Sequence, residues 1–72
     1  MTYRCTTVIT QEGKWFNARC VELGVVSQGR TVESAEKNLK EAVGLYLEDA
    51  PKAWKRLSRR MPIVTAFELS HG

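Results

Sequence analysis

Polar and apolar residues alternate from Tyr3 to Thr10. Tyr3, Cys5, Thr7 and Ile9 share one face, and Arg4, Thr6, Val8 and Thr10 share the other, the two-residue period of a strand. Gln11-Glu12-Gly13 reads as a three-residue hairpin connection with glycine in the left-handed position. Lys14 to Glu22 then forms the return strand. Phe16, Ala18 and Cys20 lie on its apolar face, while Trp15, Asn17, Arg19 and Val21 point the other way. Pairing about Glu12 or Gly13 brings Cys5 and Cys20 opposite or diagonal to one another on the inner face. A tight turn at Leu23-Gly24 leads into a short third strand, Val25 to Gln28.

After Gly29-Arg30 the period changes. Val32, Ala35, Leu39, Ala42, Val43, Tyr46 and Leu47 recur at steps of three and four, the stripe of an amphipathic helix. Thr31 is placed to cap it, since a threonine hydroxyl can accept from a free amide of the first turn. Ser34 stands where a glutamate would complete a reciprocal capping box, so that box is expected to be lost or weakened. The helix should end near Asp49-Ala50, because Pro51 cannot continue its hydrogen-bond ladder. Pro51 can open a second, short helix carrying Ala53, Trp54, Leu57 and Met61 at helical steps, stopped by Pro62. Ile63 to Leu69 reads as a fourth strand, with Ile63, Thr65, Phe67 and Leu69 on one side.

These elements predict an α+β fold, a two-layer β-β-β-α-(α)-β arrangement. Three strands form an antiparallel meander, the main helix packs on one face, and the fourth strand joins a sheet edge. At 72 residues the chain is read as one domain, 1–72, near the lower size limit for folding alone. Self-association is a common aid at that size.

Composition, at 43% hydrophobic and 26% charged, is that of an ordinary globular domain. No apolar run approaches the about 20 residues that cross a bilayer. The N-terminus has no signal-peptide core, which leads to a cytoplasmic reading with no membrane partner. Charge is more telling in distribution than in sum. Thr31 to Asp49 carries five acids against two bases, a net of −3, whereas Pro51 to Met61 carries Lys52, Lys55, Arg56, Arg59 and Arg60 with no acid. That block is the one strong asymmetry. Cys5 and Cys20 are too few for a disulfide scaffold and have no further ligands at zinc spacing, so two free, largely buried thiols are expected.

The run Ala18-Arg19-Cys20-Val21-Glu22-Leu23-Gly24-Val25-Val26-Ser27-Gln28-Gly29-Arg30-Thr31 resembles the HicB antitoxin family, as do Glu33, Ala35, Asn38-Leu39-Lys40-Glu41-Ala42 and Leu45-Tyr46-Leu47 behind it. Val21 stands where that family usually has proline. The resemblance covers roughly residues 14 to 48 and implies a partial ribonuclease H-like fold. It also implies a protein that binds and masks a small ribonuclease toxin of double-stranded-RNA-binding fold. Many members of the family add a C-terminal DNA-binding domain. Only a short tail follows the fourth strand here, so no such domain and no direct operator binding are expected, and the resemblance then implies an antitoxin reduced to its toxin-binding half or a solitary relative of such antitoxins.

No enzyme chemistry is expected. The first strand carries no acid, and Glu33, Glu36, Glu41 and Glu48 read as a solvated helix face, so nothing converges to hold Mg²⁺. His71 stands alone near the C-terminus, neither cysteine has a base beside it, and no cofactor is implied. Two surfaces remain. The sheet face away from the helix, with Val8, Trp15, Asn17, Arg19 and Val21, suits a partner protein or a dimer or larger homo-oligomer. The basic segment, with Lys52, Trp54, Lys55, Arg56, Arg59 and Arg60, suits a partner or, alternatively, a nucleic-acid backbone.

Overall fold

A computed structural model of the chain describes residues 3–57 and 65–71. Strands β1 (Thr7–Glu12), β2 (Trp15–Cys20) and β3 (Val26–Gly29) form an antiparallel sheet in the order β1-β2-β3. Helix α1 (Val32–Asp49) follows, then a 3₁₀ segment, Pro51–Arg56. The protein is thus α+β, with one main helix on a three-stranded antiparallel meander.

The first connection is tighter than its sequence suggests. β1 runs on through Glu12, which pairs with Trp15, leaving only Gly13 and Lys14 to turn the chain. Gly13 has φ 58° and, among the described residues, no non-glycine residue has positive φ, the pattern of a II′ hairpin, in which glycine takes the first central position. The resulting register sets Thr7 opposite Cys20 and Ile9 opposite Ala18. Cys5 and Cys20 are therefore diagonal, with Cα atoms 5.9 Å apart. They are joined as a disulfide, which corrects the expectation of two free thiols.

α1 begins where the periodicity places it. Thr31 Oγ1 accepts from the Ser34 amide at 3.0 Å, and Ser34 Oγ accepts from the Thr31 amide at 3.0 Å. The capping box is thus complete, because the serine hydroxyl reaches the same amide that a glutamate would serve. Such a cap is worth about 1 kcal/mol of helix stability. Gly29 is buried beneath this first turn, where a Cβ would overlap the backbone of Ser34 and Ala35. The absence of a side chain is what lets β3 and α1 approach so closely.

The core lies between the layers. Ala18, Cys20 and Leu23 face Ala35, Leu39 and Leu47 of the helix, and Ala53 and Leu57 close the end. Ile9, Phe16, Val43 and Tyr46 pack around them. The short helix expected after Pro51 is a 3₁₀ turn that ends at Leu57, whose amide returns to Trp54 O. Of the fourth strand, Thr65 to Leu69 carries no strand pairing; Met61, Pro62, Ile63 and Val64 lie outside the described residues.

Candidate functional site

Alternation along the strands sends one set of side chains away from the helix. Because β2 pairs on both sides, that outer face is built in rows. Val8, Arg19 and Val26 form one, Thr10, Asn17 and Gln28 the next, and Glu12 and Trp15 the last. The middle row is tied by Gln28 Nε2, which donates to Asn17 Oδ1 at 2.9 Å. At the end of the sheet, the Arg30 guanidinium lies over the Trp15 ring, 5.3 Å from its centre.

This face is open. Trp15 is 45% exposed and Val26 54%, with Val8 and Val21 also exposed. The five residues read from the sequence thus sit mostly together: Val8, Trp15, Asn17 and Arg19 on the strands, and Val21 at the start of the next turn. Val26 and Arg30 belong to the face as well and were missed. Val25 and Val26 are both apolar, so their phase is ambiguous from sequence, and Arg30 joins only through the fold. Thr6, by contrast, turns out of this face and onto Glu22.

The basic segment has a different setting. Ala53 and Leu57 are buried, so the segment is moored to the domain through its apolar residues. Trp54 is 43% exposed and tilts against Tyr3, with ring centres 5.1 Å apart. Arg56 donates to the Tyr46 hydroxyl at 3.3 Å. Lys52, Lys55 and Arg56 are exposed, while Arg59 and Arg60 lie outside the described residues. The segment packs against α1, on the layer opposite the open face, so the two groups do not form one surface.

A third cluster was not legible from the chain. Glu22, just beyond β2, accepts from the Thr6 amide through Oε1 at 2.8 Å and from the Thr6 hydroxyl through Oε2 at 2.7 Å. Burial pushes the carboxyl up, but the two Thr6 bonds and its own backbone amide outweigh that and hold it below the ordinary carboxylate range. A carboxyl lowered on folding binds fewer protons folded than unfolded as it titrates. Its contribution to stability is therefore present above the ordinary carboxylate range and lost as pH falls through the folded value. Thr6→Val, which keeps the amide but loses the hydroxyl, should move the Glu22 titration upward in a carbon-detected NMR pH series. A Glu22 that already titrates at an ordinary value in the wild type would refute the arrangement.

No family model, curated protein or solved structure matches this chain. Among the described residues, no helix is long and apolar enough to cross a membrane.

Proposed function

We propose that this is a non-catalytic, cytoplasmic antitoxin-like protein of HicB type, one that binds and occludes a small ribonuclease toxin of double-stranded-RNA-binding fold and works as a homo-oligomer. The observation that carries this reading is the open outer face. A two-layer domain needs only one side of its sheet for the core, yet the other side presents Val8 and Val26 beside Arg19 and, two rows away, a half-exposed Trp15. The Ala18 to Thr31 and Asn38 to Ala42 runs supply the family resemblance. In the finer fold proposed, partial ribonuclease H-like, Ile63 to Leu69 adds a fourth strand at a free edge of the sheet in the assembled protein. Phe67 and Leu69, 83% and 85% exposed, gain burial by doing so.

The test is co-expression with any small reading frame found adjacent to this one, carrying tags on one chain only. Co-purification of a complex and relief of the neighbour's ribonuclease activity are expected. A neighbour that is not toxic, together with no protein retained by the tagged chain, would sink the proposal.

A second reading rests on the exposed Lys52, Lys55 and Arg56 beside Trp54. It is a nucleic-acid-binding module using the basic segment, with Arg59 and Arg60 completing it. Neutralising five phosphates gives a log–log salt slope of about −3.5 to −4.5, so a flat salt dependence eliminates it.

A further inference from the structure

We infer that, once reduced, Cys5 and Cys20 together with Glu22 form a three-donor site for one thiophilic divalent cation of the zinc class. Disulfide and bound metal would then be alternative states of one cluster. The two sulfurs and a carboxylate oxygen of Glu22 all lie within 4.8 Å of one another. In a tetrahedral site with metal–sulfur bonds of about 2.3 Å and metal–oxygen bonds of about 2.0–2.2 Å, a sulfur and an oxygen stand about 3.5 Å apart. Cys20 Sγ is 3.7 Å from Glu22 Oε1. That edge of the polyhedron is already in place.

The surroundings favour a metal site over a chance approach. Thr6 grips both carboxylate oxygens, fixing the orientation of Glu22 while leaving further lone pairs on each. Cys20 is fully buried on β2 and cannot move far. Cys5 is half-buried in the segment before β1, where its sulfur can swing off Cys20 to the separation two ligands need. A cleft of about 230 Å³, lined by Cys5, Thr7, Glu36, Leu39, Lys40 and Val43, gives an entry path from solvent. The fourth position falls to water. Sequence spacing could not reveal this site, because its ligands come from the N-terminal segment, a strand and the turn after it.

A dithiol reductant gives two electrons and two protons to the Cys5–Cys20 bond, which breaks to two thiols while the reductant becomes its own disulfide. Binding a divalent cation then releases the two thiol protons to solvent.

Cobalt(II) titration into the chain reduced with a phosphine is the test. One cobalt per chain is expected, with a thiolate-to-cobalt charge-transfer band and the strong visible bands of a four-coordinate site. Zinc(II) should displace it, and prior oxidation with diamide should abolish binding. Glu22→Gln should bind at least about tenfold more weakly with the charge-transfer band retained, and Cys5→Ser should lose the band. If reduction alone loosens the fold, restoration of the circular dichroism spectrum by zinc supports the site. A chain with two titratable thiols that shows neither the band nor metal-dependent refolding overturns it. So does Glu22→Gln binding as tightly as wild type.

Discussion

Gly29→Ala is expected to lower the melting temperature by more than about 10 °C. Overpacking costs about 1–3 kcal/mol where side chains can step aside. Here the obstacles include the backbone of Ser34 and Ala35, so relief requires lifting the first turn of α1 off β3 and breaking the Thr31–Ser34 box. A cost of about 3 kcal/mol is a large part of what a domain this small possesses, and each kcal/mol is worth about 4–8 °C. Gly44→Ala is the control. It sits within α1 with nothing within 4 Å of an added Cβ, and should gain up to about 1 kcal/mol from helix propensity. Thermal melts of the two variants within a few degrees of each other would contradict the close approach.

Trp15→Ala is the second large effect, and it falls on binding instead of folding. A tryptophan at the heart of an interface commonly contributes about 2–4 kcal/mol when truncated, about a 30- to 1,000-fold loss of affinity. Trp15 is half-exposed in the single chain, so the circular dichroism spectrum should be unchanged while affinity for a toxin of the kind proposed above collapses. Wild-type affinity in the variant would move the contact off the sheet face. Calorimetry against Trp54→Ala separates the open face from the basic segment.

Legibility from sequence followed how local the determining physics is. α1 could be placed within a residue because its stripe, its cap and Pro51 all act within a few positions of one another. The strands could be recognised by alternation, but not phased where two apolar residues adjoin. Hence alternation alone does not assign Val26 to the outer face, and it allows a hairpin loop one residue longer than the one that forms. The Gly13-Lys14 turn satisfies a two-residue loop as readily as Gln11-Glu12-Gly13 satisfies a three-residue one, and only the pairing of Glu12 with Trp15 decides between them. The Cys5–Cys20–Glu22 cluster was beyond reach for a different reason. Thr6 reaches Glu22 across 16 residues, through a register that no local pattern fixes. The apolar alternation at Phe67 and Leu69 is as clear as that of β1, yet residues 65–69 carry no strand pairing, so alternation marks a strand-capable segment without pairing it.

The end of α1 is where the chain changes sign. Its last turn carries Glu48 and Asp49 and no basic residue, so carboxylates stand beside the negative pole of the helix dipole. The 3₁₀ segment then places Lys52, Lys55 and Arg56 directly after them, its first turn tied back to α1 by the Ala53 amide on Ala50 O. Lys52, Lys55 and Arg56 are thus the first cations that the chain offers after the negative end of the helix. A polyanion bound to those cations would bring its own charge up to the same helix terminus, so binding there and fraying of α1 are expected to rise together.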